Sequence, residues 1–105
     1  MTEDSKKDDV EVEGSPYRLV KPITFEGTEI AEIEYDFDLL TGKDLIKAER
    51  QMGDAMVSIP ALSMEYQSLV FATAAKKPIE LIHALKGPDF SEVCARALVF
   101  LSSRA

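Results

Sequence analysis

From Tyr17 to Phe37 the chain alternates apolar and polar residues in two runs that meet at Glu26-Gly27. A period of two puts successive side chains on opposite faces of an extended strand, so this stretch constrains the fold more than any other. In YRLVKPITF, residues Tyr17, Leu19, Ile23 and Phe25 share one face, which Lys21 interrupts. In TEIAEIEYDF, residues Ile33, Tyr35 and Phe37 share one face while Glu32, Glu34 and Asp36 share the other. Glu26-Gly27 is a turn signal, because glycine takes positive φ at no steric cost. The expectation is an antiparallel hairpin with one apolar and one acidic face. Pro22 has no N–H to donate, so its strand should lie at an edge or carry a bulge. Ile30 is out of phase with Ile33, and a bulge near Ala31 or Glu32 would reconcile them. A hairpin alone is marginal in water, so something must cover its apolar face.

The rest of the chain reads as helix. Thr41 with Asp44 resembles a capping box, with Asp in place of the usual Glu or Gln. Leu45, Ala48, Met52 and Met56 follow at helical spacing, and Gly53 should end or loosen that helix. IPALSMEYQSLVFATAAKK is the most apolar segment. Leu62, Tyr66, Leu69, Val70 and Thr73 form one face, widened by Met64, Phe71, Ala74 and Ala75. A helix apolar nearly all round is central to a core, or else turns its outer face to another subunit. Pro78 suits a first helical turn, and Ile79, Ile82 and Leu85 continue the pattern. Gly87 suits the position just past a helix and Pro88 prevents continuation, while Asp89 with Glu92 signals a new start. Phe90, Val93, Cys94, Ala97, Leu98, Phe100 and Leu101 then give a last broad stripe. The predicted fold class is α+β: an N-terminal antiparallel hairpin packed on a small bundle of about four helices.

Length and charge set the frame. A chain of 105 residues fits one domain. Residues 1–15 are nearly devoid of apolar side chains and should form a disordered acidic tail, leaving residues 16–105 as the single folded domain. The net charge is −7, and residues 1–14 hold six acids against two lysines. That charge should repel nucleic acid and anionic lipid. The one cysteine, Cys94, cannot form an internal disulfide and fits a reducing cytoplasm. No apolar run approaches the roughly 20 residues that span a bilayer, and the acidic start is unlike a signal peptide.

No catalytic, cofactor-binding or metal-binding set is apparent. His83 has no nucleophile elbow to serve, and Cys94 lies on an apolar stripe without a cysteine-hydrolase signature. Glu32, Glu34, Asp36 and Asp38 should line one side of a strand as a solvated row, whereas hard-cation sites converge their ligands from a curved loop. The glycines are isolated, so no phosphate-cradling loop exists.

The order of elements resembles the tail assembly chaperones of Mu- and P2-like phages. The resemblance rests on Leu19-Val20-Lys21-Pro22-Ile23, the Glu26-Gly27 turn and the acidic–apolar strand Ile30 to Phe37. Thr41-Gly42-Lys43-Asp44-Leu45, Ile82-His83-Ala84-Leu85, Asp89 and Phe100-Leu101 extend it to roughly residues 17–102. The second strand departs from the pattern in being acidic, and Leu40 stands where members often have proline. The resemblance implies a non-enzymatic protein of the host cytoplasm that coats the tape-measure protein before the tail tube polymerises and is absent from the finished virion. It also implies self-association, and a chain ending at Ser102-Ser103-Arg104-Ala105 would fit the short form of a frameshifted pair. Under this reading Met56, Met64, Tyr66 and Phe71 are the candidate interface residues, since thioethers adapt to varied partners; the same methionines would also serve as core filler. A second reading is a small acidic adaptor that binds a basic partner through the tail and through Glu32, Glu34 and Asp36.

Overall fold

The computed structural model describes residues 15–52 and 60–102. Strand β1 (Tyr17–Phe25) pairs antiparallel with β2 (Thr28–Ile33) in a two-stranded sheet. Four helices follow: α1 (Gly42–Gln51), α2 (Met64–Ala75), α3 (Ile79–His83) and α4 (Gly87–Ser102). Single 3₁₀ turns precede α1 at Phe37–Leu39 and α2 at Pro60–Leu62. The expected α+β class, a hairpin on a bundle of four helices, is the observed one. Residues 1–14, which carry most of the expected acidic tail, lie outside the described residues, as do Gly53 and Met56. Ser15, the last residue of that expected tail, is held: its Oγ accepts the Tyr35 N–H at 3.2 Å.

The hairpin turns on two residues, Glu26 at φ 50° and Gly27 at φ 82°. Positive φ at both central positions matches the right-handed twist of the flanking strands. Tyr17, Leu19, Ile23 and Ile33 are buried, as the alternation requires, and Lys21 is exposed. The bulge falls on the strand that holds Pro22, as its missing N–H requires, and not on β2 near Ala31 or Glu32. Between the Arg18–Glu32 and Ile23–Ile30 pairs, Leu19 to Pro22 on β1 face only Ala31 on β2. The surplus residues are therefore on β1, around Pro22, whose missing donor would leave a gap in a regular ladder.

The second strand is also shorter than its alternation suggests. It ends at Ile33, and the chain then leaves the sheet: the Asp36 N–H donates to the Ala74 carbonyl at 3.1 Å. The Asp36 carboxylate accepts from the Asp38 N–H at 3.0 Å and opens the 3₁₀ turn. Glu32, Glu34, Asp36 and Asp38 therefore do not form one row along a strand. Tyr35 and Phe37 still point inward, because they follow the same face onto α2.

Each helix begins for a local reason. The Thr41 capping box closes reciprocally: the Thr41 N–H reaches Asp44 Oδ2 at 2.9 Å, and the Asp44 N–H reaches Thr41 Oγ1 at 3.4 Å. Ser63 caps α2 by accepting the Tyr66 N–H, and Lys76 ends it in the left-handed region at φ 58°. The corner before α4 is built differently from the expectation. Helix α3 already ends at His83, and Gly87 and Pro88 open α4. Proline suits a first turn because the amide it lacks would have no helical partner there.

Helix α2 is the core of the molecule. Every residue from Tyr66 to Ala72 is buried, and α1, α3, α4 and both 3₁₀ turns pack on it. Its buried polar groups are satisfied nearby: Gln67 Nε2 donates to the Ala61 carbonyl at 2.7 Å, and Ser68 Oγ to the Glu65 carbonyl at 2.8 Å. An aromatic cluster joins the hairpin to the helices. Phe37 stacks on Phe100 at 4.8 Å, and Tyr35 lies 4.9 Å from Phe71. Three residues expected on the apolar face of α2 are exposed, Leu62, Met64 and Thr73. Leu62 sits in the preceding turn, and Thr73 returns its hydroxyl to the Leu69 carbonyl at 2.9 Å. No described helix is long and apolar enough to cross a membrane.

Candidate functional site

The most unusual chemistry in the molecule is the carboxylate of Asp89, which is 0% exposed. The sequence suggested a helix-start residue, but Asp89 is the third residue of α4 and its side chain leaves the helix altogether. Its Oδ1 accepts from the Tyr17 hydroxyl at 2.7 Å and from the Val20 N–H at 2.8 Å, and its Oδ2 accepts from the Lys21 N–H at 3.0 Å. The two amides are those that the bulge withdraws from the β1–β2 ladder. A buried charge is tolerated only when fully hydrogen-bonded, and the first turn of a helix adds a favourable dipole. Burial pushes the carboxyl up, but the Tyr17 hydroxyl and the Lys21 and Val20 amides, with the Lys21 ammonium, outweigh it and hold the group below its ordinary range. Burial, followed by the bond to Asp89, pushes the Tyr17 phenol up to about 12.

Arg96, two turns along α4, braces the same junction. Its Nε pairs with Glu92 at 3.0 Å, its Nη1 donates to the Tyr35 hydroxyl at 2.7 Å, and its guanidinium lies 4.8 Å from the centre of the Tyr17 ring. One helix thus grips the start of β1 and the segment after β2. The arrangement is a clasp. Three donors occupy the Asp89 carboxylate and it is sealed from solvent, so it has no access to a substrate proton.

The two residues considered for catalysis, His83 and Cys94, have different surroundings. His83 is exposed and makes an edge contact with the Phe90 ring, 6.2 Å between centres. Cys94 is buried, its Sγ donates to the Met64 carbonyl at 3.6 Å, and burial pushes its thiol up to about 11. Among the described residues no three His, Cys, Asp or Glu side chains could hold a metal ion. An open depression of about 310 Å³ is lined by Ser15, Glu34, Asp36, Leu39 and Lys76 among others.

The candidate interface residues separate into two groups. Phe71 is fully buried in the aromatic cluster. Tyr66 is buried and donates its hydroxyl to the Leu45 carbonyl at 3.2 Å. Both hold the core together, and neither offers surface to a partner, which corrects the expectation drawn from the apolar pattern. Met64 is 46% exposed and Leu62, beside it, 64%. They sit where the turn before α2 meets α4, whose own Val99 is 68% exposed. Met56 lies outside the described residues. Glu32 and Glu34 are exposed and Asp36 is half-buried; Glu32 Oε1 lies 3.9 Å from Arg18 Nη1.

Sequence reasoning missed the roles of Asp89, Tyr17 and Arg96. The one available signal for the clasp was Pro22, which called for a bulge and hence for acceptors outside the ladder. No known family model matches this chain, and neither a curated protein nor a solved structure does.

Proposed function

We propose that this chain is a non-catalytic binding module that acts as a phage tail assembly chaperone, with a tape-measure protein as its client in the host cytoplasm. The observation that carries the reading is that large apolar side chains are left in solvent, among them Leu62 and Met64 at the start of α2 and Val99 on α4, with Val20, Leu39 and Ile46 elsewhere. A chaperone for a long amphipathic helix needs apolar surface that adapts to a series of similar stripes, and methionine suits that task. The hairpin followed by capped helices, in the order the resemblance implies, supports the same reading. Co-expression with a long helical tape-measure protein, followed by pull-down at low and high salt, tests it. A complex that survives high salt is expected. No complex with any such client would overturn the reading.

A second reading, an acidic adaptor for a basic partner, is favoured by one feature: no base occurs between Glu26 and Asp38. It predicts a complex that salt dissolves.

A further inference from the structure

We propose that the outer edge of β2, Thr28–Ile33, is a docking site for an extended, basic segment of a partner protein, which would add to the hairpin as a third strand. Among the described residues the sheet has two strands, so β2 has one edge paired with β1 and one edge that no described strand covers. Among the described residues, no backbone bond outside the β1–β2 ladder reaches Thr28–Ile33. The surplus residues of the hairpin are on β1, and their free amides go to Asp89. Strand β2 keeps a near-regular path of six residues, about 20 Å at the usual rise per residue, and five of the six are exposed or half-buried.

An open edge of this kind is a template for another strand, and proteins commonly block it with lysine, proline or a bulge. None of these lies in β2. Its protection consists of Glu29 and Glu32, with Glu26 and Glu34 just beyond its ends. That choice discriminates between occupants. A second copy of this chain pairing β2 on β2 would bring glutamates together, and like charges across a strand pair are destabilising. A strand with lysine or arginine at alternate positions would instead meet Glu29 and Glu32. Glu29 should weigh more, because Glu32 already lies near Arg18. The ladder supplies affinity without sequence, and the charges supply preference. This edge shares no residue with the exposed Leu62, Met64 and Val99, so each proposal can fail without the other.

The test uses the full chain, isotope-labelled, and a capped hexapeptide of alternating lysine and valine. Amide exchange should slow at the positions of Thr28–Ile33 that point away from β1. Glu29→Gln should weaken the peptide about two- to fivefold, the range of an exposed ion pair, and the glutamate–valine counterpart of the peptide should not bind. A peptide N-methylated along one edge should lose the protection. Protection that is absent, or that maps to α4 instead, overturns the proposal. So does equal binding of the N-methylated peptide, which would reduce the contact to charge alone. Slower exchange at higher protein concentration without peptide would assign the edge to a second copy and likewise overturn it.

Discussion

Tyr17 and Asp89, 72 positions apart in sequence, share a buried 2.7 Å hydrogen bond that joins the first strand to the last helix. The same carboxylate takes the two amides freed by the bulge, so one side chain completes the backbone bonding of β1. Asp89→Ala would leave the buried Tyr17 hydroxyl and the two part-buried amides without their acceptor. The expected loss is about 3–5 kcal/mol of unfolding free energy, the scale for removing one partner from a buried charged network. Tyr17→Phe deletes a single bond to that charge and should cost about 1.5–3 kcal/mol. Urea denaturation of both variants and of the double variant checks this, and the two effects should be strongly non-additive because the residues share one network.

The clasp also sets an acid limb. The Asp89 carboxyl is lowered in the folded chain, so the unfolded chain takes up the proton first as pH falls. Its contribution is fully present above the unfolded carboxylate value, about 3.9, and is lost as pH drops through the lower folded value. Urea midpoints should fall more steeply below about pH 4 in the parent chain than in Asp89→Asn, which has no such proton to take up. Parallel curves for the two proteins would contradict the assignment. Tyr17 gives the opposite limb. Its phenol is raised to about 12, so its contribution is intact below the unfolded value of about 10 and declines as pH rises through 12.

Much of this architecture was legible because it follows from local chemistry. The strand alternation, the Glu26-Gly27 turn, the Thr41–Asp44 box and the all-round apolar helix α2 each depend on neighbours in sequence. The clasp was not legible, because an aspartate three residues into a helix looks like any first-turn acid until the fold brings Val20 and Lys21 against it. Burial of Tyr66 and Phe71 was similarly ambiguous. A helix apolar on all sides fits a core or an interface equally well, and only the packing of α1, α3 and α4 around it decides. The acidic row dissolved because Asp36 had a stronger local use, accepting from the Asp38 amide, than extending a strand.

The hairpin turn makes a separate prediction. A Cβ at Gly27 would meet nothing within 4 Å, but the backbone there has φ 82°. Gly27→Ala should therefore cost about 1–2 kcal/mol from conformation alone, without steric clash. Glu26, at φ 50°, is a non-glycine residue in the same region, so Glu26→Asn or Glu26→Gly should stabilise the turn by a few tenths of a kcal/mol. Thermal melts of the three variants give the ordering: Gly27→Ala below the parent, and the Glu26 variants at or above it.

Cys94 should behave as a reporter of opening. Its thiol is buried among the helices and pushed up to about 11, so almost none is thiolate at neutral pH. Reaction with a disulfide reagent should be negligible in the native chain and rise with urea in step with unfolding. Rapid labelling without denaturant would show that α4 separates from the start of α2 far more often than its packing implies.

The two groups of interface candidates can be told apart by measuring stability and binding together. Phe71→Ala removes a fully buried ring and should cost about 3–5 kcal/mol. Any binding it loses will then accompany loss of fold. Leu62→Ser and Met64→Ser alter side chains that are 64% and 46% exposed and should change stability by under about 1 kcal/mol. If the apolar surface takes the client helix, these two substitutions should weaken capture of a tape-measure protein at high salt while the unfolding curve stays in place. Retained capture in the double serine variant would move the client surface elsewhere. An unchanged melt with lost capture would fix it beside the start of α2, where the exposed turn meets α4 and the buried ring of Phe71 has no part in the contact.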